Sequence, residues 1–410
     1  MDKRLPIQQA AIRRRQQDAI HRRDKAARGL DDILQQIRQI PGLQTFLRAE
    51  SEEYFLSAAQ EGPIVVLNAT ELRSDAILLT KEQVTSIPLP QLSYALMTKH
   101  LDTIRYCPVC ASRIVDGTNK NENQVKREML EWLWKAAVQP VLQALGVYPQ
   151  KVYPLPRIWW IGLHHLAQAP IHAAAKFARG TFKVKMTTLQ YCLPSYTSTI
   201  RALQYSRSRQ CQQNGPMLIV TMPTTPGASP LNNVTEEADE IMHSRRGIGT
   251  VKTLKQPTSG CVLQALSRYS IAHFACHGVS STNPADSHLL LLKGTGDVDK
   301  LCVKNIAALK LPAARLAYLS ACSTAHSKSP ELIDEVTHIV SSFHIAGYTN
   351  VIGTLWPAED EACHKMAAEF YSMLSKTDDV VLSYRDAILA LMEEKPSQPM
   401  YWAPFIHFGA

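Results

Sequence analysis

Ile271-Ala272-His273-Phe274-Ala275-Cys276-His277-Gly278 and Leu316-Ala317-Tyr318-Leu319-Ser320-Ala321-Cys322-Ser323-Thr324 decide the reading of this chain. Each opens with a five-residue, mainly apolar run and leads within two residues to a side chain able to do chemistry, His277 in one and Cys322 in the other. Both read as buried strands of a parallel sheet, where the run is nearly continuously hydrophobic. In an open α/β sheet, sites form beyond the carboxyl ends of the strands. If the two strands are neighbours and parallel, the imidazole of His277 and the thiol of Cys322 meet at one sheet edge. That pairing suits thiol nucleophilic catalysis. A free thiol is only a few per cent thiolate at neutral pH, and a histidine within reach takes its proton and later gives it to a leaving amine. Gly278 lets backbone approach a substrate, and the N–H groups of Gly278 and Cys322 are the candidate oxyanion donors.

Outward from these strands the same grammar continues. Met217–Val220, Val351–Leu355 and Pro404–Phe408 read as strands. Helices are expected at 235–245, with Thr235 as N-cap, at 332–346 ended by Gly347, and at about 359–376 and 380–394. Alternating strands and helices imply an α/β fold with a mostly parallel sheet covered on both faces. In the first half, Ile64–Leu67 and Ala76–Leu79 read as a hairpin, 112–125 as a polar loop, Val125–Leu145 as a helix capped by Gly146, and Arg157–Ile161 as a buried strand. Residues 206–215 read as a loop or hinge between two lobes.

The 410 residues suffice for one large domain or two to three ordinary ones, and the 45% hydrophobic and 20% charged content fits a real core. No apolar run reaches the roughly 20 residues of a membrane helix, and the basic N-terminus lacks the apolar core of a secretory signal. An intracellular, reducing, cytoplasmic setting is expected. The nine scattered cysteines read as free thiols. The net charge of +8 makes a basic patch worth locating, and Arg13, Arg14, Arg15, Arg22, Arg23, Lys25 and Arg28 crowd a stretch of the helical lead-in with few acids; a second helix is expected from Leu43 to Ala59. No aromatic residues interleave with these arginines, so a solvated helix is preferred to a nucleic-acid arm, and no nucleic acid is expected.

An ordered series of motifs extends the pattern: His273-Phe274-Ala275-Cys276-His277-Gly278, Leu319-Ser320-Ala321-Cys322-Ser323-Thr324, Ala346-Gly347-Tyr348 with Val351-Ile352-Gly353-Thr354-Leu355-Trp356, and Trp402-Ala403-Pro404-Phe405. Over roughly residues 62–410 this resembles the CHAT family, the caspase-like domain often attached to tetratricopeptide repeats, and its fungal members most. The resemblance implies the caspase–hemoglobinase three-layer sandwich, related to separase, with His277 and Cys322 as the dyad. It divides the chain into a helical lead-in (1–60), a pseudo-protease-like front lobe (62–215) and a catalytic lobe (216–410). It further implies a protein or peptide substrate, a setting in cell-death or immune-type signalling, and an upstream sensor of tetratricopeptide-repeat or NLR type. The chemistry needs no cofactor.

Departures from the family pattern matter. Ala325 stands where members often carry Gly. Ser320 stands two places before the nucleophile, where relatives that cut after basic residues place an acid. Asp360 matches an acid common in the family and either lines the pocket or, preferably, caps the following helix. Ser320, Trp356 and Asp360 are thus the substrate-pocket candidates. The attached repeats are not evident in residues 1–60, so the chain reads as a fragment of a longer one.

Several other residues read more plainly. Cys276 should alternate to the opposite face and be core, His273 and His344 satisfied interior histidines, and Ser320 and Ser323 shapers of the nucleophile's turn. Trp402 reads as core, and Trp356 as core or groove wall. Cys107-Pro108-Val109-Cys110 lacks a second ligand pair, so structural thiols are preferred to zinc. His164, His165 and His172 point apart and are not read as a metal site. The lead function is a cysteine endopeptidase; the rivals are a non-catalytic interaction module on the same fold and, more weakly, a nucleic-acid binder built on the basic lead-in.

Overall fold

The computed structural model describes residues 4–44, 46–105, 119–149, 154–209, 214–320 and 339–410. Residues 1–55 form one compact unit and residues 56–410 another. The first holds the helix α1 (Arg4–Arg38). The helix expected over Leu43–Ala59 is shorter, α2 running only over Glu52–Ala58, because Pro41-Gly42 is followed by turns.

In the larger unit the strands β1 (Ile64–Ala69), β2 (Ser74–Leu79) and β3 (Val84–Pro88) form an antiparallel meander, of which β3 was not expected. Helix α3 (Tyr94–Arg105) follows. The helix expected from Val125 begins earlier, at Asn119, as α4 (Asn119–Leu133), so part of the expected polar loop is helical. It continues through a π-turn at Trp134–Val138 into α5 (Gln139–Ala144). Pro140 accounts for the irregularity: it has no N–H to give the preceding turn, and the widened turn absorbs the misfit.

Then come β4 (Arg157–Gly162), the small hairpin β5 (Ala175–Phe177) and β6 (Val184–Thr187), β7 (Leu193–Tyr196) and α6 (Ile200–Arg207). The second half supplies β8 (Met217–Thr221), α7 (Val234–Ser244), β9 (Val251–Lys255), α8 (Ser259–Leu266) and β10 (Ile271–Ala275). An excursion of β11 (Gly278–Val279), β12 (His288–Leu292) and β13 (Val298–Cys302) precedes α9 (Val303–Ala307) and β14 (Leu316–Ser320). The chain continues with α10 (Ile339–Ala346), β15 (Asn350–Thr354), α11 (Asp360–Thr377), α12 (Val380–Glu394), α13 (Pro399–Trp402) and β16 (Phe405–Gly409).

Eleven strands make one sheet in the order β3-β2-β1-β4-β7-β16-β15-β14-β10-β8-β9. Neighbours are parallel from β9 to β15 and from β16 to β1, and the direction reverses where β16 lies antiparallel to β15. The residues read as two lobes therefore share a continuous sheet. The seam between β16 and β7 rests on a single backbone pairing, Phe408 with Tyr196, whose rings stack at 5.6 Å. Buried side chains reinforce it. His407 reaches Ser195 Oγ at 3.0 Å and Asn350 Oδ1 at 2.9 Å, and Trp159 Nε1 donates to the Gly409 carbonyl at 2.9 Å.

Strand alternation assigns the two faces of the second half of the sheet. Phe274 packs on Phe343 of α10, with ring centroids 5.1 Å apart. His273 turns the other way, toward α7 and α11, where it stacks on Tyr318 and meets Tyr371. Gly347 ends α10 at φ +128°, and a Cβ there would come within 2.5 Å of the Leu311 carbonyl oxygen, so only glycine fits.

Candidate active site at the carboxyl ends of β10 and β14

Strands β10 and β14 are adjacent and parallel, with Ile271 opposite Leu316 and Ala275 opposite Ser320. His277 stands two residues beyond Ala275, and Cys322 two residues beyond Ser320 in the sequence. Cys322 itself, with Ser323, Thr324 and Ala325, lies outside the described residues, as do Cys107 and Cys110.

The position of His277 is built from backbone on three sides. Met222, the first residue after β8, donates its N–H to the Ala275 carbonyl at 2.9 Å. The His277 carbonyl accepts from Leu290 N–H of β12 at 2.8 Å. The ring Nε2 lies 2.8 Å from the Ser229 carbonyl. A carbonyl only accepts, so Nε2 carries the hydrogen and Nδ1 of the neutral ring holds the lone pair. One ring nitrogen is thereby fixed, and the basic one is defined.

Gly278 pairs with Leu289 across β11 and β12. The bond from Leu290 N–H to the His277 carbonyl flanks that pair, which makes it the non-hydrogen-bonded kind. The N–H of Gly278 is consequently turned away from β12, as an oxyanion donor requires.

Beside His277 is a small cavity of about 20 Å³, room for about one water molecule. Among the described residues it is lined by His277, Ser320, Cys276, Glu237, Asp360 and Cys363, with Leu231, Val234 and Ala358 closing it. Ser320 and Asp360, two of the expected pocket residues, are thus brought together with His277. Trp356, the third, is not: it is wholly buried, with Lys126 Nζ 4.8 Å above its ring, and is core rather than groove wall. Trp402 is likewise core.

Asp360 does not cap α11. The N-cap position is Glu359, without a side-chain cap bond, and Asp360 Oδ2 instead accepts the N–H of Asn233 at 3.0 Å. The same bond explains why α7 starts one residue before Thr235, the expected cap: Asn233 is the N-cap. Cys276 is buried as expected, yet it borders this cavity rather than standing clear of it.

Sequence reading missed Glu237. It sits on α7, 2% exposed, with its carboxylate 3.0 Å from His273 Nε2. The approach lies off a hydrogen-bond axis, and neither atom makes a hydrogen bond among the described residues. The only available signal was an acid at an inward position of an amphipathic helix. The remaining buried histidines are structural. His172 bonds Tyr196 Oη at 2.8 Å and the Ala403 carbonyl at 3.2 Å, and His344 bonds Ser206 Oγ at 2.8 Å. Burial pushes His172 down to about 3 and His344 to about 4, and carries His407 well below the usual histidine range. Among the described residues no group of side chains could hold a metal ion, and no helix is long and apolar enough to cross a membrane.

The CHAT domain family model matches residues 127–410. The chain belongs to the CHAT domain family. That family is one of caspase-like cysteine peptidases, and the CHAT match covers both strand ends and the cavity between them. No curated protein matches the chain. Among solved structures it is similar to separase of Saccharomyces cerevisiae in two crystal structures of the separase–securin complex. Their TM-scores are 0.60 and 0.59 at 10% identity, over 87% of this chain. This CHAT chain spans only 30% and 31% of those separase chains, and at that identity the likeness is one of fold. A weaker likeness, TM-score 0.44 at 13% identity, is to the complex of the pro- and mature domains of Porphyromonas gingivalis RgpB, over 77% of this chain and 76% of that one.

Proposed function

We propose that this CHAT protein is a cysteine endopeptidase acting on a protein substrate, with Cys322 as nucleophile and His277 as base. The observation that carries this reading is the in-register pairing of β10 with β14, from which both residues stand two positions onward. Nδ1 of His277 takes the proton from Sγ. The thiolate attacks the scissile carbonyl carbon, and the carbonyl π pair moves onto oxygen, held by the N–H groups of Gly278 and Cys322. When the tetrahedral centre collapses, the C–N bond breaks and the amine leaves with the proton from Nδ1. Water, giving its proton to the same nitrogen, then cleaves the thioester and restores the thiol.

Residues 62–215 act in this reading as a pseudo-protease-like lobe supporting a catalytic lobe at 216–410. The family resemblance supports a cytoplasmic role in cell-death or immune-type signalling under a tetratricopeptide-repeat or NLR-type sensor. The smallness of the cavity beside His277 favours a second reading, a closed scaffold without activity. A cysteine-reactive peptidyl probe separates them. Labelling that is lost in both Cys322→Ala and His277→Ala supports catalysis. Labelling that persists in Cys322→Ala, or that never occurs under any activating condition, supports the scaffold.

A further inference from the structure

We propose that Asp360 is a positioning residue for His277, acting as a hydrogen-bond acceptor through the loop 222–233; this rests on His277 being the base. The Ser229 carbonyl holds the imidazole only as firmly as its own loop is held. That loop leaves β8 at Met222, tied to Ala275, and is closed on itself by Leu231 N–H to the Pro223 carbonyl at 2.9 Å and Ala228 N–H to the Thr225 carbonyl at 3.1 Å. It turns at Gly227, with φ +76°.

Its far end is fixed from outside. Asn233 N–H is caught by Asp360 Oδ2 at 3.0 Å, and α7 then begins, with Glu237 N–H on the Asn233 carbonyl at 2.8 Å. Asp360 can serve as that anchor because it stands in the first turn of an 18-residue helix. The far end of that helix is held by Arg315, which donates to Asp378 Oδ1 and to its carbonyl at 2.7 Å each. A path thus runs from α11 through the bond of Asp360 to Asn233, back along the covalent backbone 232–230 to Ser229, and through its carbonyl to Nε2 of His277.

Asp360 also borders the cavity, so its carboxylate has two possible uses that differ physically. Catching a neutral backbone N–H needs an acceptor oxygen and no charge. Contacting a cationic substrate side chain needs the charge. Asp360→Asn keeps the first and removes the second. Asn233→Pro removes the donor and leaves the charge of Asp360 in place, since proline has no N–H.

The readouts are the 15N signals of the His277 imidazole across pH and the pH-dependent rate of Cys322 alkylation by iodoacetamide, neither of which needs a substrate. Asp360→Ala and Asn233→Pro are expected to broaden or shift the Nε2–H signal and to slow alkylation about tenfold at neutral pH, as displacement of a catalytic group does. Asp360→Asn should stay within about twofold of wild type in both. The proposal is overturned if Asp360→Asn is as impaired as Asp360→Ala, or if Asn233→Pro leaves His277 unchanged. Should Asp360→Ala not fold, the Asp360→Asn and Asn233→Pro pair decides alone. A protein whose Cys322 is inert in wild type would defeat the peptidase reading, while the imidazole signals would still test the positioning path.

Discussion

The imidazole of His273 and the carboxylate of Glu237 lie 3.0 Å apart with both side chains essentially sealed from solvent, and Glu237 also lines the cavity that His277 borders. Removing one partner of such a buried polar pair leaves the other facing an emptied site, at a cost of about 1–3 kcal/mol, whereas replacing both by apolar groups of similar shape can be nearly neutral. Glu237→Ala should therefore destabilise strongly, and Glu237→Leu combined with His273→Leu should recover much of the loss. Denaturant midpoints measure this; a Glu237→Ala midpoint equal to wild type would mean the pair contributes nothing.

Acid should loosen the fold before carboxylates begin to titrate. His172 and His344 are held at about 3 and about 4, and His407 well below its usual range, because burial disfavours the charged ring. In the unfolded chain each titrates near 6.5. The unfolded state then binds more protons below that value, so stability is full above about pH 6.5 and falls as the pH drops toward the folded values. Each such histidine costs about 1.4 kcal/mol per pH unit in that window. Melting temperatures at pH 7, 6 and 5 should decline, and His344→Gln should flatten the slope. A pH-independent melting temperature over this range would contradict the neutral burial of these rings.

Gly347→Ala should destabilise by more than 1 kcal/mol, since alanine at φ +128° is strained and its Cβ would meet the Leu311 carbonyl. The Gly347 turn joins α10 to β15, so the loss should show in thermal unfolding of the whole domain. An unchanged melting temperature would show that this turn accommodates a side chain.

Ser320→Ala should cost almost nothing in stability. The hydroxyl is buried without a hydrogen-bond partner among the described residues, and deleting an unsatisfied group is neutral or favourable. If Ser320 touches substrate, the change will appear instead in the kcat/KM ratio between peptides. A drop of more than about 1 kcal/mol in unfolding free energy would reveal a partner for this hydroxyl.

Much of this was legible in the sequence where apolar runs were long and punctuated. The spans 271–275 and 316–320 were read to the residue, since each run is bounded by polar or small residues; their pairing was posed as a condition, and the structure meets it. Strands β9 and β3 were missed because both are half-exposed edge strands whose residues do not alternate cleanly. At the site, His277 was found by its position beyond a strand end, and Ser320 and Asp360 by the family resemblance. The actual bond of Asp360 was not, because a side chain catching a backbone N–H 127 positions away leaves no local pattern. Trp356 was left open between core and groove because an indole suits either, and only the packing beneath Lys126 decides.

The strand at the middle of the eleven is also the last in sequence: β16 fills the sixth place, between β7 and β15. While the polypeptide is being made, each half of the sheet has to wait with one flank open until β16 emerges. A nascent chain stalled before Phe405 would therefore present two unfinished strand borders, and so is the species on which chaperones and aggregation should compete.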